Sequence, residues 1–424
     1  MAKRKLMFLL GSISILLIVA GYVTSNWSTD ITGTTENITA DNSTTGDDTD
    51  TTPATSTNTT SNSSNTTAAE IPENNNDNQE DNETWDSSVL TTITLNKDSI
   101  SVDDENGVTI DKTTATITSA GTYNINGTLD DGQIIVDTND EEAVRLVLNG
   151  VKISSTTNAP IYVEDANNTV IVLADGTENY LTDNKNNEDN ATLCSRDDLT
   201  ISGDGALTVS GNVNDAIRSN DGLVIASGTI TVTSVDDGIR GKDYLVIKGG
   251  TITVTSVGDG LKSDNNEDAS KGYVSIEGGT IQVAATQGDA ISAQTDLSVT
   301  DGTFTLTSGG GSGARLNELL STKGLKAGVS IVIDCGDFAI NSSEDAVHSN
   351  GVITINSGTF DIASGDDGIH ADKSLEIIGG TLDVSKCFEG MESAVVTIND
   401  GYIHIDSSDD GINLTEGNDG SQTA

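Results

Sequence analysis

Basic residues are scarce in this chain: 20 Lys and Arg stand against 66 Asp and Glu, giving a formal net charge of −46. A surface of that sign repels phosphate backbones and anionic lipid. It excludes nucleic acid as a partner and leaves membrane contact only to the N-terminal segment. Aromatic residues make up 3% of the chain, and both tryptophans, Trp27 and Trp85, precede the repeats described below. Cysteine occurs three times, at Cys194, Cys335 and Cys387, all far from the N-terminus. An odd number argues against a disulfide framework, and no cysteine is placed for lipidation; the three read as single buried residues. With Pro at three, Gly at 44 and frequent Thr, Ile and Val, the composition suits short strands and tight turns rather than helices. Solubility or a salty habitat is the plain alternative explanation of the acidity.

The N-terminus holds one long apolar run, the 18 residues from Leu6 to Val23, preceded by the basic stretch MAKRK. That length lies between a signal-peptide core and a spanning helix, so residues 1–25 fit a cleaved signal or a retained anchor. The basic flank puts the remainder outside the cytoplasm, and an extracellular or cell-surface location is expected. Residues 26–88 carry almost no apolar side chains and read as a disordered stalk. Their N-x-S/T triplets at Asn37, Asn42, Asn58, Asn62, Asn65 and Asn82 are glycan acceptors or products of composition alone. Residues 416–424 read as a disordered tail.

Between them, residues 89–415 repeat. A glycine followed by Thr or a substitute and then an apolar residue recurs at Gly205, Gly228, Gly250, Gly279, Gly302, Gly336, Gly358, Gly380 and Gly401. The spacings are 23, 22, 29, 23, 34, 22, 22 and 21, a period of about 22 with two insertions. Within each period apolar residues alternate: Leu245 and Ile247, then Ile252 and Val254; Leu375 and Ile377, then Leu382 and Val384; Val396 and Ile398, then Ile403 and Ile405. Period-two alternation specifies strands. A unit this small cannot bury its own apolar face and must stack on its neighbours. A parallel β-helix follows, with one coil per repeat and equivalent positions about 4.8 Å apart. A β-propeller needs blades of about 40 residues, and the Gly-Gly-x-Gly-x-Asp repeat of a calcium β-roll is absent.

One step of the repeat is filled by Asp215, Asp237, Asp259, Asp289, Lys323, Asp345, Asp367, Glu389 and Asp410. Two residues on comes an apolar side chain each time: Ile217, Ile239, Leu261, Ile291, Leu325, Val347, Ile369, Met391 and Ile412. Further acids follow five or six residues later, at Asp221, Asp243, Asp264 and Asp372, or precede it, at Asp236, Glu344, Asp366 and Asp409. Stacked carboxylates repel by roughly 3–4 kcal/mol per neighbour at an effective dielectric of 20. Either each acid caps its own turn through backbone N–H groups, or a cation lies between coils. Ca2+, bound by oxygen at about 2.3–2.6 Å, fits that spacing. His348, His370 and His404 are read as ordinary surface residues at different steps, and the lack of a His/Cys cluster argues against zinc. Lys323 is expected to divide the column into two cation-binding stretches, Asp215 to Asp289 and Asp345 to Asp410.

The segments DDGIRGKD, GDGLKSDN and SRDDLTISGDGALTVSG, with GTLDDGQIIVDTNDEEAVRLVLNGVKIS upstream, resemble the carbohydrate-binding domain-containing proteins of clostridial-type cell surfaces over about residues 90 to 415. The resemblance implies a right-handed parallel β-helix akin to family 9 pectate lyases. It also implies calcium at the Asp-rich turns and binding of cellulose or polygalacturonate. Calcium ligands are then expected among Asp215, Asp221, Asp236, Asp237, Asp243, Asp259, Asp264, Asp289, Asp345, Asp366, Asp367, Asp372, Asp409 and Asp410, in a chain acting as a monomer. Lys323 and Glu389 depart from a continuous acid column. A lyase also needs a base, and Arg218, Arg240, Lys262 and Lys326 each sit three residues after the column position. Charge compensation explains them equally, so a binding protein, a pectate lyase-like enzyme and a structural adhesin or spacer all remain open, the binding protein being the expected reading.

Overall fold

The computed structural model describes residues 90–184 and 189–415. The signal segment, the stalk and the tail lie outside the described residues. Strands begin at Thr91–Lys97 and run to Ile412–Asn413. No helix among the described residues is long and apolar enough to cross a membrane.

Each regular coil contributes three strands. In the coil that opens at Asp215 these are Asp215–Ser219, Gly222–Ile225 and Thr229–Ser234. Each pairs in parallel with its counterpart one coil on: Ile217 with Ile239, Leu223 with Leu245, Ile230 with Ile252. The first strand of every coil joins a 14-stranded sheet, and the other two belong to a 24-stranded sheet. This is a parallel β-helix with three faces. Parallel strands in one coil need no hairpin, because every strand's partner lies one period away in sequence.

The alternation places the core as expected in the inner coils, but in the last coil Val396, Ile403 and Ile405 are only partly buried and Ile398 is 44% exposed. Leu245, Ile247, Ile252 and Val254 are at most 1% exposed, and so are Leu375, Ile377, Leu382 and Val384. One continuous apolar cluster runs from Ile93 to Met391. Phe304, Phe338 and Phe360 stack through it at 4.5 and 4.6 Å with nearly parallel rings. Eight of the nine marker glycines have positive φ, such as Gly250 at 95° and Gly358 at 117°. An added Cβ at Gly358 would come within 2.9 Å of the Gly336 carbonyl oxygen in the coil below. The turn therefore requires both a left-handed residue and close backbone approach. Gly205 departs from the pattern; Gly203, two residues earlier, takes the positive φ there.

The first turns differ from the rest. Thr91–Lys97 pairs antiparallel with Ile100–Val102, and Val108–Asp111 pairs antiparallel with Thr114–Ile117. All other pairings among the described strands are parallel, so two small hairpins lie over the open end of the solenoid. At the opposite end Ile412 is 47% and Leu414 66% exposed, because no described coil covers them. The two long spacings are loops. Residues 264–272 extend one coil, and residues 309–321 extend another between Ser308 and Lys323.

Candidate functional site

The turn that feeds the 14-stranded sheet stacks the acids. Asp215, Asp237, Asp289, Asp345 and Asp367 are 6% exposed or less, and Lys323 and Glu389 are also buried. Asp259 is half-buried, while Asp409 and Asp410 are exposed on the last coil. Carboxylates removed from water require partners for both oxygens, and here they have two kinds.

One oxygen caps the next coil. The Asp237 N–H donates to Asp215 Oδ1 at 3.2 Å, Asp259 N–H to Asp237 Oδ1 at 2.8 Å, and Asp289 N–H to Asp259 Oδ1 at 2.8 Å. Lys323 N–H donates to Asp289 Oδ1 at 2.7 Å, and Asp367 N–H to Asp345 Oδ1 at 3.1 Å. The sequence suggested capping within each acid's own turn. The cap instead spans coils, because the column places each carboxylate under its neighbour's amide.

The second oxygen meets a base three residues along or at the same place on the next coil. Cys194, Arg218, Arg240, Lys262, Ser292, Lys326, His348, His370 and Glu392 form one ladder beside the acids. Lys262 Nζ lies 2.9 Å from both Asp237 Oδ2 and Asp259 Oδ2. Lys326 Nζ is 3.1 Å from Asp289 Oδ2. Arg218 and Arg240 reach Asp215 Oδ2 only at 3.6 and 3.9 Å. His348 Nδ1 is 2.8 Å from Asp345 Oδ2 and His370 Nδ1 is 3.2 Å from Asp367 Oδ2. Both histidines therefore share one step of the repeat, contrary to the expectation from sequence. Only His404 is elsewhere, on Tyr402–Ser407 and paired with Asp383 at 2.8 Å. Lys323 sends its ammonium to Glu344 at 2.9 Å and Asp345 at 3.8 Å.

The later acids do not form one set. Asp264 and Asp372, five residues after the column, hold the far side of the basic ladder. Asp264 Oδ2 accepts from Arg240 Nε at 3.0 Å, and Asp372 Oδ1 lies 3.4 Å from His370 Nε2. Asp221 and Asp243 lie six residues after and turn elsewhere. Asp243 accepts from Asn265 Nδ2 at 2.5 Å and pairs with Lys271, supplied by the 264–272 loop; Asp221 is exposed. Asp243 and Asp264 thus turn to different partners, and Lys262 stands between Asp237 and Asp259.

Two steps of the column gather three carboxylates each. Ligand oxygens of Asp215, Asp236 and Asp237 lie within 4.8 Å of one another, and so do those of Asp345, Asp366 and Asp367. Burial and then the Asp237 charge push Asp215 up to about 7 despite both arginines. At the second step burial and the Asp345 charge push Asp366 up to about 6, and burial pushes Asp367 up to about 8. Burial acts against Asp345 as well, but the His348 hydrogen bond and the Lys323 charge hold it at about 2. Burial is the first cause of each rise, and the neighbouring carboxylates add to it. Gly258 makes room at the first step: a Cβ there would lie 2.7 Å from Asp237 Oδ1 and 2.8 Å from Asp236 Oδ1. Its bare backbone lets two carboxylate oxygens converge. Donors that are all oxygen suit a hard cation such as Ca2+.

Sequence reasoning missed a serine ladder. Ser234, Ser256, Ser342 and Ser364 donate to the carbonyl just before each column position, at 2.9, 3.0, 2.8 and 2.9 Å. Each stands three residues before it, a spacing visible in the sequence. It also passed over an aromatic pair: Tyr244 and Tyr273 stack at 5.6 Å, and the Tyr244 hydroxyl donates to Asp198 Oδ1 at 3.2 Å.

Fold and site define a class: a parallel β-helix whose turns stack a buried acid column against a basic ladder. Residues 111–368 match the family model described as carbohydrate-binding domain-containing protein, and the chain belongs to that family. A carbohydrate-binding domain-containing protein of Acetivibrio thermocellus is 46% identical over 226 residues, covering 51% of this chain and 79% of the relative. Among solved structures, the polysaccharide lyase-like protein from C. thermocellum, in a gadolinium derivative, is 38% identical. That match covers 51% of this chain and 91% of the other, with a TM-score of 0.49.

Proposed function

We propose that this chain is a non-catalytic, surface-displayed protein that binds an acidic plant cell-wall polysaccharide of the polygalacturonate type with the help of calcium. Family membership supports a carbohydrate ligand. The observation that carries the calcium reading is the pair of steps where three carboxylates converge, Asp215–Asp236–Asp237 and Asp345–Asp366–Asp367. They are five coils apart, about 24 Å at strand spacing. Calcium held there by fewer than its six to eight oxygens keeps positions for a sugar carboxylate. An anionic polymer that meets both steps gains from two weak contacts at once.

The basic ladder supports a non-catalytic role. A lyase base must be neutral to take a proton, whereas burial is outweighed at Lys262 by Asp259 and Asp237, which raise its pKa. Lys326 is likewise bound to Asp289. The basic N-terminal stretch and the apolar run after it support display outside the cytoplasm, with or without cleavage.

Affinity electrophoresis of the full-length protein through polygalacturonate tests the reading. Retention is expected with calcium and not with chelator, with no new absorbance from a C4–C5 double bond. Equal retention in both eliminates calcium bridging, and an unsaturated product moves the chain to the lyases. Retention by cellulose, where present, is expected to be less sensitive to chelator.

A further inference from the structure

We infer that Asp345, His348 and His370 form a site for an imidazole-preferring divalent metal of the zinc class, distinct in chemistry from the calcium steps. The register puts the two histidines one above the other, as the only imidazoles in the basic ladder. Their rings meet edge to face, with centroids 4.9 Å apart. A ligand atom from each of Asp345, His348 and His370 lies within 4.8 Å of the others. Tetrahedral zinc, with bonds of about 2.0–2.2 Å, spaces its donors about 3.3–3.5 Å apart. Closing this set onto a metal therefore requires side-chain shifts of an ångström or so. Asp367, whose Oδ2 is 3.2 Å from His370 Nδ1, supplies a fourth donor.

The outer contacts point the same way. In both histidines Nδ1 faces the acids. Nε2 faces an oxygen acceptor on the far side, Asn350 Oδ1 at 2.9 Å for His348 and Asp372 Oδ1 at 3.4 Å for His370. An acceptor that holds the distal N–H leaves the proximal nitrogen, now facing a carboxylate, to ligate when a metal displaces its proton, which is how metal-binding histidines are oriented. The other bases of the ladder, Arg218, Arg240, Lys262 and Lys326, balance charge but are not metal ligands, whereas an imidazole ligates once a metal displaces its proton. Calcium takes oxygen ligands and makes no use of imidazole, whereas zinc, copper and nickel favour it. The site is half-open: the two histidine side chains are 14% and 12% exposed. It does not rest on carbohydrate binding, although it shares Asp345 and Asp367 with the second calcium step.

Titration calorimetry of metal-stripped full-length protein with Zn2+, in excess Ca2+, tests the inference. One equivalent of zinc is expected to bind. His348→Gln and His370→Gln should each weaken it about tenfold or more, while His404→Gln leaves it unchanged. Co2+ added to the wild-type chain should give the visible absorption of nitrogen-bound, low-coordinate cobalt, a readout that depends on no variant. Absence of zinc uptake, equal affinity in His370→Gln, or displacement of zinc by equimolar calcium overturns the site. Polygalacturonate retention is measured with calcium and without zinc, so the two readings fail separately.

Discussion

Replacing Lys262 by methionine removes the ammonium that bridges Asp237 and Asp259 while keeping most of the apolar stem. The Nζ contacts are 2.9 Å to each carboxylate, and the lysine side chain is 25% exposed. Two carboxylates stacked at about 4.8 Å repel by roughly 3–4 kcal/mol at an effective dielectric of 20. Removing one partner of a largely buried pair costs a similar amount. Lys262→Met is therefore expected to destabilise the calcium-free protein by about 3 kcal/mol near neutral pH. The raised lysine pKa keeps the wild-type ammonium charged below its unfolded value near 10.4, so the cost is constant from pH 7 to 9. It shrinks in acid, because burial and the Asp289 charge raise the Asp259 pKa and that group takes up a proton early. The variant also turns this step into an all-oxygen site. Calcium at about 100 times its dissociation constant should then restore roughly 2.7 kcal/mol. The readout is the shift in thermal midpoint between wild type and variant, each in chelator and in calcium, scanned under identical conditions. A variant as stable as wild type in chelator, or one that calcium fails to rescue, refutes the reasoning.

The metal-free protein should lose stability as pH rises. Against burial, the Asp367 hydrogen bond and the Asp345 charge raise His370 to about 9, so its contribution is complete below about 6.5 and gone above 9. Asp215, raised to about 7, penalises folding as it ionises between about pH 4 and 7. Thermal midpoints in chelator should fall from pH 6 to 9, with a shallower fall in His370→Gln; a flat profile contradicts this. Gly258→Ala should displace Asp236 and Asp237, whose oxygens stand 2.8 and 2.7 Å from the new methyl, and abolish calcium uptake at the first step without greatly affecting the second. Phe338→Ala opens the middle of the phenylalanine stack and should cost about 3–5 kcal/mol, measured by denaturant midpoint.

The coil could be read from the sequence because, in a parallel β-helix, sequence period and spatial neighbour coincide. Asp237 and Asp259, 22 residues apart, are neighbours by construction. The hairpins at Thr91–Val102 and Val108–Ile117 alternate like any other strand, and alternation does not reveal strand direction. Small offsets defeated the reading of the flanking acids. Asp243 and Asp264 differ by one step relative to the column, and that step decides between Lys271 and Arg240 as partner. His348 and His370 were read at different steps of the repeat, although each stands three residues after Asp345 and Asp367, as Lys262 does after Asp259. The counter-charges were half visible. Basic residues at a fixed step were evident, but only the structure distinguishes Lys262, in close contact with two acids, from Arg218 and Arg240, held further from Asp215.

The central claim is that calcium serves the two steps of the acid column where three carboxylates converge. Calorimetric titration of the metal-stripped full-length protein with Ca2+ addresses it most directly. Two equivalents should bind, one lost in Asp236→Asn and the other in Asp366→Asn, with both lost in the double variant. No calcium uptake, or two equivalents retained in the double variant, contradicts the account.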